Sequence, residues 1–126
     1  MNKKIGMFDS GIGGLTILKE LKKLLPNEDY IYYADSKNNP YGEKSDTELM
    51  KIVTNIVDYL ISRDVKIIVI ACNTATTRCI KRLRMMYPDI PLLEPNLRSK
   101  LLVIIIIRIL LLWQHQALLK QKELMN

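Results

Sequence analysis

Lys66-Ile67-Ile68-Val69-Ile70-Ala71-Cys72-Asn73-Thr74-Ala75 is the stretch on which the fold of this chain turns. A strand with one wet face alternates apolar and polar residues. A continuous apolar run, as from Lys66 to Ala71, is expected of a strand buried on both faces of a parallel sheet. The run stops at Cys72, and Asn73 opens a helix that carries Cys79, Ile80 and Leu83 and ends at Tyr87-Pro88. A buried strand leading straight into a helix is half of a parallel βαβ unit.

Upstream, the same alternation occurs twice more. Lys3 to Phe8 is a short apolar segment closed by Asp9 and followed by the turn Gly11-Ile12-Gly13-Gly14. From Leu15 the spacing becomes helical, with Leu18, Leu21, Leu24 and Leu25 on one side and Lys19, Glu20, Lys22 and Lys23 on the other. Pro26-Asn27 stops that helix, and Tyr30 to Ala34 has the aromatic and β-branched content of a second strand. A polar loop from Asp35 to Lys44 leads to Ser45-Asp46-Thr47-Glu48, a capping box that opens a helix burying Ile52, Ile56 and Leu60. The βαβαβα series predicts an α/β fold, a parallel-sheet three-layer αβα domain over residues 1–93 with right-handed crossovers.

Composition bounds the rest. The 126 residues are 48% hydrophobic and 25% charged, ordinary for a globular chain. Of the net charge of +6, residues 1–93 hold +3 and the 33 residues after them the other +3. No Lys/Arg stripe with interleaved aromatics accompanies it, so a nucleic-acid partner is not expected. Cys72 and Cys79 are too few for a disulfide scaffold, and the single His115 lies far from both, so neither disulfide nor metal site is expected. The N-terminus lacks a long apolar segment and a small-residue cleavage site, which reads as cytoplasmic.

In parallel sheets of this kind ligands bind beyond the carboxyl ends of the strands. Those ends read Asp9-Ser10-Gly11, Ala34-Asp35-Ser36 and Cys72-Asn73-Thr74. Cys72 stands where a strand yields to a helix, and the helix's free N–H groups and dipole favour an anion there. That is a setting in which a thiol becomes reactive. A lone cysteine is more often a small buried hydrophobe; the ligand-capable Asn73 and Thr74 beside Cys72 tip it toward function, whereas Cys79 keeps the structural reading. The Asp9 to Gly14 segment could cradle a phosphate, but it is neither a Walker A nor a G-x-G-x-x-G fingerprint. Its acidic residue would repel a phosphate, and could instead orient a thiol or hold an ammonium group. Asn39-Pro40-Tyr41-Gly42, taken alone, is as readily an ordinary turn.

Together the motifs Phe8-Asp9-Ser10-Gly11-Ile12-Gly13-Gly14-Leu15-Thr16, Tyr33-Ala34-Asp35, Pro40-Tyr41-Gly42 and Ala71-Cys72-Asn73-Thr74-Ala75 resemble the glutamate racemase family, within the wider aspartate/glutamate racemase group. The resemblance covers about 90 residues. It implies a pseudo-symmetric enzyme of two α/β domains that interconverts L- and D-glutamate for peptidoglycan synthesis without a cofactor. Two cysteines then face each other across the substrate, one removing the α-proton and the other reprotonating the opposite face. By that resemblance Cys72 is the first thiol and Asp9 helps to activate it. Asp9, Ser10, Tyr41, Gly42, Asn73 and Thr74 would bind the amino and carboxylate groups of glutamate. A racemase of aspartate or another amino acid is the nearest rival, and a non-catalytic binding or dimerisation fragment the alternative of a different class; a homo-oligomer stays open.

After Leu93 the resemblance stops. Residues 94–126 contain no Gly and no Pro after Pro95, and Leu101 to Leu112 is a 12-residue apolar block interrupted by Arg108. A membrane-crossing helix needs about 20 apolar residues, so a membrane partner is not expected. The tail reads as a frameshift product. Trp113 has the single codon TGG and Gln114 begins with CA, so the shifted frame reads alanine there. Where codon choice is free, the frame one base back can read Gly-Thr-Glu from Leu93 to Asn96, Asn-Asn-Tyr-Lys from Ile104 to Arg108 and Met-Ala-Thr-Pro from Leu112 to Gln116, in keeping with a resumed family sequence. The other reading is a genuine, divergent C-terminal element. A chain with one of the two thiols is expected to be inactive in two-base racemisation.

Overall fold

A computed structural model describes residues 3–11, 13–94 and 99–125. Ile12 of the Gly-rich turn and residues 95–98, on which part of the frame argument falls, lie outside the described residues. The elements run β1 (Lys4–Asp9), α1 (Leu15–Leu24), β2 (Tyr30–Ala34), α2 (Asp46–Ser62), β3 (Val65–Ile70), α3 (Asn73–Met86), β4 (Leu92–Leu93) and α4 (Ser99–Met125). Short 3₁₀ turns at Ser36–Asn38 and Tyr41–Glu43 break up the polar loop after β2.

All four strands are parallel, in the order β2-β1-β3-β4. Side chains alternate across the sheet. Ile5, Met7, Ile67 and Val69 pack with Leu18 and Leu21 of α1 and Ile106 of α4 on one face. Phe8, Ile68 and Ile70 pack with Leu49, Val53, Ile56, Val57 and Leu60 of α2 and with Ala75, Cys79, Ile80 and Leu83 of α3 on the other. The three-layer α/β expectation is therefore met. The central position of β3 is the physical reason for its unbroken apolar run. Lys66, its one charged residue, is half-buried and pairs with Glu28 at 2.6 Å.

The order of the strands fixes where a site can form. β1 leads through α1 to β2 on one side, and α2 carries the chain back to β3 on the other. The carboxyl ends of β1 and β3 thus flank the point where the winding reverses, the crevice that ligands use in such sheets.

Local details depart from the sequence reading in three places. Leu24 is exposed rather than part of the buried side of α1, because the helix ends at that residue. The Tyr30 hydroxyl serves that end instead, donating to the carbonyls of Leu21 (3.1 Å) and Leu25 (2.8 Å). Ser45 accepts from the Glu48 N–H at 3.1 Å, but only this half of the capping box forms among the described residues. The third is β4, where Leu92 and Leu93 pair with Ile68 and Val69 although two residues are too few to read as a strand.

α4 lies over the α1 face through Ile106, Ile109 and Leu110, and every described residue from Leu111 on is exposed. No helix among the described residues is long and apolar enough to cross a membrane.

Burial, followed by the charge of Glu28, pushes the Tyr30 phenol up to about 12. A proton held more tightly in the folded state contributes stability that is whole below the unfolded pKa of about 10 and is lost as pH rises through the folded value. The expected result is a Tm that falls between pH 10 and about 12, together with tyrosinate absorbance that rises late. Tyr30→Phe should flatten part of that fall.

Candidate active site

Asp9 is the last residue of β1 and is buried, yet it carries an acid that needs partners. Its two oxygens find them in the turn that follows. One accepts the Ser10 N–H at 2.8 Å and the other the Gly14 N–H at 2.6 Å. Gly14 is the N-cap of α1, so the carboxylate sits at the positive end of that helix. The cradle that a phosphate might have used is filled by the chain's own anion. Gly14 is required here by close approach: a Cβ would lie 2.9 Å from the Ala71 Cβ and 3.1 Å from the Tyr32 ring. Gly14→Ala is expected to cost about 1–3 kcal/mol through overpacking, read as a lower urea midpoint with unchanged m.

Cys72 follows β3 and is the N-cap of α3. Its carbonyl accepts from the Thr76 N–H (3.0 Å) and hydroxyl (2.9 Å), which fixes the first turn of the helix. Its thiol points toward the other strand end, donating to Ser10 Oγ at 3.7 Å. Neither Asp9 oxygen bonds the thiol among the described residues; Asp9 meets Cys72 through Ser10. Asn73 is exposed and Thr74 half-buried on the first turn of α3. Cys79 lies in the core, where burial pushes its thiol up, as its structural reading requires.

The loop after β2 supplies the third side. Asp35 is buried and accepts from Asn38 Nδ2 at 3.0 Å to both oxygens and from the Tyr41 hydroxyl at 2.7 Å. Tyr41 is 2% exposed and shares the core cluster of Phe8 and Cys72. Burial, then the bond to Asp35, pushes its phenol far up, so it stays a neutral donor. Gly42 beside it is exposed, with open space where a side chain would stand.

The structure thus brings Asp9, Ser10 and Cys72 together at the switch point, with Tyr41 in the adjoining core and Gly42 facing open space. No carboxylate, imidazole or thiol cluster suited to a metal ion occurs among the described residues. A cavity of about 590 Å³ lies away from this site, between the Tyr87–Pro91 segment and Trp113 of α4. Two residues of the loop's scaffold escape sequence reading. Asn38 stands three residues after Asp35, a weak turn signal, and Arg78 reaches the loop from 34 residues away, with no signal at all.

Comparison with known proteins bears on the sequence and the fold. No family model matches the chain. A glutamate racemase of Clostridium novyi is 54% identical over 96 residues, spanning 75% of this chain and 37% of the relative. One of Clostridium perfringens is 50% identical over 99 residues, spanning 77% and 38%. Among solved structures, the Francisella tularensis glutamate racemase in complex with D-glutamate superposes with a TM-score of 0.69 at 44% identity, over 74% of this chain and 35% of that one. The Escherichia coli glutamate racemase in complex with L-glutamate and the activator UDP-MurNAc-Ala gives 0.69 at 38% identity, over 75% and 35%. The chain therefore spans little more than a third of the length of the curated relatives it matches.

In sequence and fold the α/β body is similar to an N-terminal segment of the glutamate racemases.

Proposed function

We propose that this body forms one half of a cofactor-independent glutamate racemisation site, serving peptidoglycan synthesis in the cytoplasm. Cys72 is its acid/base, taking the α-proton from one face of glutamate as thiolate and returning it as thiol. Asp9 acts by holding Ser10 and the turn. Asp9-Ser10, Tyr41-Gly42 and Asn73-Thr74 bind the amino and carboxylate groups, and their donors stabilise the carbanionic charge. The observation that carries the reading is the 3.7 Å approach of Cys72 Sγ to Ser10 Oγ across the β1/β3 crevice.

Among the described residues no second thiol faces Cys72, since Cys79 is in the core. The half-site therefore exchanges the α-proton with solvent but does not invert the centre. The test is D₂O exchange at the glutamate α-carbon, followed by NMR, with optical rotation as the measure of inversion. Washout with rotation retained supports the reading. Absence of washout overturns it.

We also propose that residues 94–126 are a non-family tail produced by a frame slip. Support comes from α4, which leaves Ile104, Ile107, Leu111, Leu112, Leu118, Leu119, Leu124 and Met125 exposed, a surface that soluble chains rarely keep. A coding sequence without a racemase-like reading in another frame would sink the proposal.

A further inference from the structure

Arg78 has no place in the proposed chemistry, yet it makes more side-chain bonds than any other cation described. Nε donates to Asp46 Oδ1 at 2.7 Å, and Nη2 reaches the same oxygen. Nη2 also donates to the Lys44 carbonyl at 2.8 Å, and Nη1 to the Tyr41 carbonyl at 3.4 Å. Tyr41 and Lys44 bracket the 3₁₀ turn that holds Gly42, and Asp46 is the first residue of α2. One guanidinium thus binds both ends of the segment between the loop and the helix.

Arg78 stands six residues after Cys72 on α3, so the thiol and the clamp ride on one rigid helix. The far side of Tyr41 is tied by its hydroxyl to Asp35. Its near side, the backbone that presents Gly42 to open space, has Arg78. An exposed Arg–Asp pair alone contributes little, and Asp46 is 80% exposed. The bonds to two backbone carbonyls are what a surface pair does not need. They also suit the planar fork of arginine and not the point charge of lysine.

From this we infer that Arg78 is a positioning residue that fixes the Tyr41-Gly42 segment relative to the Cys72 thiol; the inference rests on the half-site proposed above. Two readouts on the full chain test it. In Arg78→Ala the amides of Glu43 and Lys44, which bond Pro40 and Tyr41 carbonyls, exchange with solvent about tenfold faster. Amides of β1 and β3 keep their wild-type rates. In parallel, glutamate shields Cys72 from iodoacetamide, followed by peptide mass mapping with Cys79 as the internal reference. The half-protecting concentration rises about tenfold in Arg78→Ala and less in Arg78→Lys.

Unchanged exchange at Glu43 and Lys44 overturns the inference. So does acceleration spread equally through β1 and β3, which would make Arg78 a general stabiliser. If glutamate fails to shield Cys72 in the wild-type chain, the half-site reading falls, and the amide rates still decide the role of Arg78.

Discussion

Cys72→Ala is expected to stop α-proton washout from glutamate in D₂O, a loss of roughly 10²- to 10⁴-fold, the range one positioned acid/base supplies. The chemistry leaves little room for a substitute. In the proposed half-reaction the thiolate takes the α-proton, exchanges it with solvent deuterons, and returns a deuteron to the same face. Ser10, the side chain that the thiol bonds, offers only a hydroxyl, too weak an acid to replace a thiol in this cycle. The variant should still fold, because the thiol makes a single long hydrogen bond, at 3.7 Å, the backbone bonds at Thr76 do not involve it, and alanine keeps a small apolar side chain in the core cluster. A dead protein with a native melting curve is therefore the expected pair of observations. Washout that survives in Cys72→Ala would assign the base to another group.

Asp9→Ala should produce the largest loss of stability at the site. It removes the acceptor of two backbone donors, the Ser10 and Gly14 N–H groups, from a residue only 6% exposed. Bonds to a charged partner are worth about 1.5–3 kcal/mol each, so the cost is on the order of 3 kcal/mol or more. It also removes the charge at the N-terminus of α1. Asp9→Asn keeps one acceptor and should recover about half of the loss. Urea unfolding measures both. Because Ser10 loses its anchor, washout should fall in Asp9→Ala even at temperatures where the chain remains folded.

Much of this was legible in the residues. The Lys66–Ala71 run announced a central parallel strand because burial on both faces leaves no polar alternation to read. Cys72 and Asp9 were legible as strand-end residues, since a parallel sheet collects such ends at one rim. What escaped was tertiary in origin. β4 exists because β3 offers it a ladder, not because Leu92-Leu93 has any strand signal of its own. Leu24 follows the apolar period of α1 yet faces solvent at the helix end, where the Tyr30 hydroxyl donates to the Leu21 and Leu25 carbonyls. The partners of Asp9 were not visible either. A carboxylate that looked free to orient a thiol turns out to be committed to its own turn. Arg78 could not be found at all, because its bonds span more than 30 residues and arginine carries no local pattern.

α4 has a consequence for anyone who handles this molecule. The chain has a single tryptophan, Trp113, and it sits on that helix, 45% exposed, while the racemase-like body holds all six tyrosines and the only phenylalanine. Indole emission is consequently a gauge of the arm and not of the sheet. A denaturation curve recorded at tryptophan wavelengths would report when Trp113 leaves the Tyr87–Pro91 segment, and could show a transition while β1 and β3 are still intact. The state of the half-site has to be followed through its phenols, or through far-ultraviolet dichroism, and the gap between the two curves measures how loosely the arm is attached.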